Sequence, residues 1–168
     1  MIESTALIIF PLLMVFAALT DLFTMTIPNR ISMILVGVYF ALALYLPIPL
    51  DIVGWHLSCA AAMLVLTFAM FHFQWIGGGD AKLAAATALW LGWDHLLDYG
   101  LVASIAGGVL TVIVIELRRH DLPQKVLSLN FVAKLADKNG GVPYGIALAL
   151  AGLFVYPQTL VWSRLAGL

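Results

Sequence analysis

Residues 77–93 read Gly77-Gly78-Gly79-Asp80-Ala81-Lys82-Leu83 and then run apolar, with the lone hydroxyl of Thr87, to Gly92-Trp93. Behind them lies Val53–Phe73, an apolar stretch long enough to cross a bilayer. This region decides the fold because its hydrophobicity does not alternate. A period of two would mark strands, whereas continuous apolar runs joined by a glycine turn mark hydrophobic helices. The turn also carries a carboxylate. At membrane depth such a group costs about 2.5–3.5 kcal/mol on insertion scales, so it marks a candidate site by default. A second one, Asp21, lies near the end of the first apolar run, shortly before Ile27-Pro28-Asn29-Arg30.

Working outward, 63% of the 168 residues are hydrophobic and 10% charged, with a mean hydropathy of +1.05. These values exclude an ordinary soluble domain and point to a polytopic membrane protein. A net charge of −1 leaves no electrostatic footprint for nucleic acid. Cys59 is the sole cysteine, so no intrachain disulfide forms. His56, His72, His95 and His120 fit no zinc-ligand spacing, and nothing calls for a metal or an organic cofactor. The first apolar run lacks a basic leader and a small-residue cleavage site, and reads as a retained span.

Helical spans of about 20 residues are expected at Ala6–Phe23, Ile31–Leu46, Val53–Phe73, Ala81–Trp93, Tyr99–Leu117 and Val142–Trp162. The expected class is therefore an all-α integral membrane protein with about six transmembrane helices, residues 1–168 forming one domain. Pro28-Asn29, Pro47-Ile48-Pro49, the triple glycine, Gly92 and Asn139-Gly140-Gly141 punctuate the spans. Six crossings place Arg30, Lys82, Arg118, Arg119, Lys125, Lys134 and Lys138 on one side and Arg164 on the other. The positive-inside rule makes the first side cytoplasmic, with Glu3, Asp51, Asp94 and Asp98 opposite. Both termini then lie outside the cytoplasm, and Asp21 and Asp80 both lie at its face. The 118–141 loop is cytoplasmic, and its apolar and basic residues over 125–138 suit either an amphipathic helix on the anionic leaflet or a solvated connector.

Asp80 reads as a helix N-cap or as a functional acid; Asp21, where a helix dipole disfavours negative charge, reads as an interfacial residue bonded to nearby threonines or as a functional acid. The glycines permit close chain approach and positive φ, as at a site receiving an extended peptide. Asn29 is placed to cap the second helix. Two carboxyls brought close share a proton, and then one activates water while the other polarises a carbonyl and protonates the leaving amine. The opposed helix dipoles predict the charged form on Asp80 and the neutral form on Asp21. Trp55, Trp75, Trp90, Trp93 and Trp162 suit aromatic belts. Gly100, Ser104 and Gly108 form a helix-packing stripe, and Glu116 is positioned to pair with Arg119.

Asp21 ahead of an Ile-Pro-Asn turn, Gly77-Gly78-Gly79-Asp80-Ala81-Lys82-Leu83, and Val142-Pro143-Tyr144-Gly145 together resemble the type IV prepilin leader peptidases, intramembrane aspartic proteases with a G-x-G-D motif. The resemblance implies catalysis by Asp21 and Asp80, with Gly77, Gly78, Gly79, Lys82, Pro28, Asn29, Arg30, Pro143 and Tyr144 shaping the site. It implies a prepilin substrate with a basic leader followed by a hydrophobic helix, cut at the cytoplasmic face of a bacterial or archaeal inner membrane. Longer bacterial members carry a cytoplasmic insert with paired Cys-x-x-Cys motifs and methylate the mature pilin. Here Asp21 and Pro28 are separated by six residues and no cysteine pair exists. The chain thus resembles the short form serving tight-adherence (Flp, type IVb) pili, with methyl transfer expected to be absent. A related G-x-G-D protease acting on preflagellin-like or signal-peptide-remnant substrates, a small proton or ion transporter, and a non-catalytic assembly subunit are the alternative readings.

Overall fold

A computed structural model describes residues 2–120, 123–138 and 140–167. Asn139 of the expected Asn139-Gly140-Gly141 turn, and the side chains of Glu3 and Val126, lie outside the described residues. The described chain is helical: α1 (Ile2–Thr24), α2 (Asn29–Tyr45), α3 (Leu50–His72), α4 (Gly78–Leu91), α5 (Leu96–Arg119), α6 (Gln124–Leu127), α7 (Asn130–Ala136), α8 (Tyr144–Val155) and α9 (Leu160–Ala166). The protein is an all-α membrane protein. Helices α1 and α3, and α5 with the 3-10 turn before it, are long and apolar enough to cross a bilayer. Helix α2 has 17 residues and α4 has 14, which at 1.5 Å each span about 26 and 21 Å.

The expected sixth span is not continuous. Tyr156-Pro157-Gln158 forms a 3-10 turn, and α8 and α9 meet there at 55°. Pro157 cannot donate to the helix ladder, which ends α8 early. The 118–141 connector likewise holds two short helices, α6 and α7, in place of one amphipathic helix.

Helix α4 is the central element. It packs against α3, α2 and α8, and all but three of its residues are buried, from Asp80 and Ala81 to Leu91. Its alanines let neighbours approach closely, and being enclosed by protein it need not match the bilayer thickness. Trp90 is fully buried and donates its indole N–H to the Leu35 carbonyl at 3.1 Å. It therefore belongs to the core, among Phe10, Tyr39 and Tyr156, and not to an aromatic belt. Trp55 and Trp75 are exposed as expected.

The packing stripe expected on α5 is displaced by one residue. An added Cβ at Gly100 or Gly108 would meet nothing within 4 Å, whereas at Gly107 it would lie 2.7 Å from Tyr144. The inward face of α5 is Tyr99, Gly107 and Val114, and Gly100, Ser104 and Gly108 lie off it.

Candidate active site

Asp21 and Asp80 come from helices of opposite polarity. Asp21 occupies the last turn of α1 and Asp80 the first turn of α4, so an antiparallel arrangement brings them to one end of the bundle. They are 5% and 9% exposed, and near enough to interact electrostatically. Asp80 is not the N-cap. Helix α4 begins earlier, with Gly77 as its cap, and Asp80 is the third helical residue, accepting the Gly77 N–H at 3.1 Å.

Asp21 is held by a different helix. The N–H of Gly145, in the first turn of α8, donates to its Oδ2 at 2.7 Å. Each acid thus accepts a backbone N–H from a helix start, and the asymmetry expected from opposed dipoles is not seen in these contacts. Pro143 is the buried N-cap of α8 and Tyr144 its first residue. The Tyr144 ring fills the notch at Gly107, and its hydroxyl lies 3.2 Å from Thr111 Oγ1.

Ile27 joins the two halves. An added Cβ at Gly79 would lie 3.1 Å from Ile27 Cβ, and one at Gly145 would lie 2.5 Å from Ile27 Cδ1. The isoleucine is buried between the starts of α4 and α8. Two of the glycines expected to receive a peptide instead accommodate the chain itself: Gly78 against Phe71 and Gly79 against Ile27. Gly77 closes on Asp80, and all three have φ outside the left-handed region. The positive φ values nearby belong to Met25 (57°) and Gln74 (60°), each just past a helix end.

Beside Asp80 opens a cavity of about 540 Å³, lined among others by Gln74, Trp75, Gly77, Gly141 and Tyr144. Its polar wall is fastened by Arg118, which donates to the carbonyls of Leu135 and Gly141, both at 2.8 Å. Helix α7 docks on the end of α1 through Phe131 against Phe23 and through Lys134, whose Nζ lies 3.5 Å from the Thr24 carbonyl. Lys82 and Asn29 also meet, Nζ donating to Oδ1 at 2.8 Å. Asn29 therefore does not cap α2, whose N-cap is Pro28. These two side chains lie beside the acids in sequence but outside the cavity, and Pro28 and Arg30 are exposed. Glu116 pairs with Arg119 at 3.3 Å, on the surface. Among the described residues no group of three or more His, Cys, Asp or Glu is arranged to hold a metal.

Two helix-end acids fixed by the backbone, one of them beside an open cavity, suggest comparison with known peptidases. The sequence profile described as the type IV leader peptidase family matches residues 8–112, a stretch containing both acids. The chain belongs to the type IV leader peptidase family. It is similar to a prepilin leader peptidase/N-methyltransferase of Pectobacterium carotovorum, 32% identical over 125 residues, covering 69% of this chain and 43% of that protein. One from Aeromonas salmonicida strain A449 is 30% identical over 149 residues, covering 82% and 44%, and one from Legionella pneumophila 29% over 103, covering 58% and 30%. The chain spans less than half the length of these curated relatives. No solved structure matches it.

Sequence reasoning did not anticipate the roles of Ile27, Gly107, Thr111, Arg118 and Gly145. Gly145 was visible within the Pro-Tyr-Gly pattern, but a backbone donor carries no side-chain signal. Ile27 looked like turn punctuation because an isoleucine in an apolar chain announces nothing.

Proposed function

We propose that this chain is an intramembrane aspartic endopeptidase that removes the leader peptide from type IV prepilins, of the Flp (type IVb) kind, at the cytoplasmic face of the inner membrane. The observation that carries this reading is the pair of buried acids, Asp21 and Asp80, each held by a backbone N–H, with an open cavity beside Asp80. Family membership supports it, as do relatives named prepilin leader peptidases.

In the proposed reaction the acids hold one proton between them and titrate as a pair. The ionised carboxylate removes a proton from water, whose oxygen bonds to the scissile carbonyl carbon. The protonated carboxyl donates to the carbonyl oxygen as charge develops there. Collapse of the tetrahedral species breaks the C–N bond. The departing nitrogen takes a proton, giving a leader ending in a carboxyl group and a mature chain beginning with a free amine. The hydrogen bonds from Gly77 and Gly145 fix one oxygen of each acid, which orients both carboxyls before substrate arrives.

The proposed topology has six crossings, with one integral-membrane domain and the acid end in the cytoplasm. Arg118, Lys134 and Lys82 support this orientation, since their contacts tie them to the acid end of the bundle. Methyl transfer is proposed to be absent, because no insert bearing cysteine pairs separates Asp21 from Pro28. A proton relay is disfavoured by acids at helix ends, away from mid-bilayer broken helices.

Co-expression with a type IVb prepilin tests the reading, with leader loss followed by mass spectrometry. The wild type is expected to cleave, and Asp21→Asn and Asp80→Asn each to lose about 10²–10⁴-fold of the rate. Cleavage retained by either variant would remove that residue from the mechanism.

A further inference from the structure

A groove of about 740 Å³ runs between α2 and α3 with α4 as its floor. It is distinct from the cavity at the acids. The floor is formed by Lys82, Ala85, Ala86 and Leu89, spaced three and four apart, which places this face about 180–200° around α4 from Asp80.

The groove is polar at one end and apolar along the rest. At its mouth the Lys82 ammonium donates to Asn29. An ammonium has three protons to give, and no carboxylate is bonded to this one among the described residues. One turn deeper along α2 is Ser32, which is 8% exposed and whose Oγ has no hydrogen-bond partner. Beyond it the walls are Met33, Val36, Phe40, Leu57 and Leu64.

We propose that this groove binds one anionic phospholipid. The phosphate lies at Lys82 and Asn29, and one acyl chain follows the groove toward Phe40. A cation at the mouth followed by an apolar channel is the order of a phospholipid read from headgroup to tail. From Asn29 to Phe40 the groove extends about 16 Å along α2. An apolar peptide helix would not need the cation at the interface. The proposal does not depend on the peptidase reading.

Native mass spectrometry of the full chain in neutral detergent tests it, with phosphatidylglycerol and phosphatidylcholine of identical acyl chains as probes. Wild type is expected to bind one phosphatidylglycerol about fivefold more tightly than phosphatidylcholine, the factor one basic group supplies. Lys82→Ala should erase that preference; Lys82 is exposed, so the fold does not rely on it. Lys125→Ala, on the distant loop, should keep the preference. Gly37→Leu should weaken both lipids by filling the channel, and its Cβ meets nothing within 4 Å, so the backbone accommodates it. Equal binding of the two lipids by wild type would overturn the proposal. So would a preference that survives Lys82→Ala, one abolished by Lys125→Ala, or binding indifferent to Gly37→Leu. Retention of a synthetic apolar helix in place of either lipid would assign the groove to a peptide and equally overturn it.

Discussion

The N–H of Gly145 donates to Asp21 Oδ2 across 2.7 Å, joining residues 124 positions apart in the chain. This bond ties the end of the first helix to the start of α8 and fixes one acid of the pair. A side chain at position 145 would force Asp21 and Ile27 to shift. A Cβ there would stand 2.8 Å from Asp21 Oδ2 and 2.5 Å from Ile27 Cδ1. Gly145→Ala is expected to cost about 1–3 kcal/mol through overpacking. Prepilin cleavage should fall further than stability alone accounts for, because the acid is displaced. Parallel thermal unfolding and cleavage assays check this; full activity in a folded Gly145→Ala protein would refute it.

Adjacent glycines on α5 should behave oppositely. Gly107→Ala drives a methyl to within 2.7 Å of the Tyr144 ring, whereas Gly108→Ala enters open space. The first should destabilise by about 1–3 kcal/mol. The second should be neutral, or stabilise by up to about 1 kcal/mol through helix propensity. Melting temperatures in one detergent decide it, and equal shifts would contradict the packing described.

Arg118 fastens the wall of the acid cavity. Truncation to alanine removes two charge-assisted bonds, to Leu135 and Gly141, each worth about 1.5–3 kcal/mol. Hydrogen exchange of amides in residues 130–138 is expected to accelerate about tenfold or more, while exchange in α4 is unchanged. Exchange unaltered in 130–138 would show that the loop is held by other contacts.

The tryptophans offer a separate check. Trp90→Phe loses the indole bond to Leu35 and part of a fully buried side chain, at a combined cost of about 1–3 kcal/mol. Trp75→Phe, on the surface, should fall within about 0.5 kcal/mol of wild type. Unfolding of both variants in one detergent distinguishes core from belt.

Much of this protein follows from the sequence taken alone. Continuous apolar runs in a chain with 10% charged residues dictate hydrophobic helices, because in lipid each backbone polar group must be satisfied within its own segment. The cost of a carboxylate at membrane depth singled out Asp21 and Asp80 before any coordinates, and the glycine and proline punctuation located their helix ends to within a few residues. Tertiary structure alone decided how those ends meet. Ile27 lies between two glycines from different helices, a backbone N–H reaches Asp21 from 124 residues away, and Gly107 rather than Gly108 receives Tyr144. Such contacts depend on rotation and depth of one helix against another, and a shift of one residue turns a helix face by about 100°. Hydropathy measures how apolar a segment is, and these segments are apolar nearly all round, so it cannot encode which face turns inward.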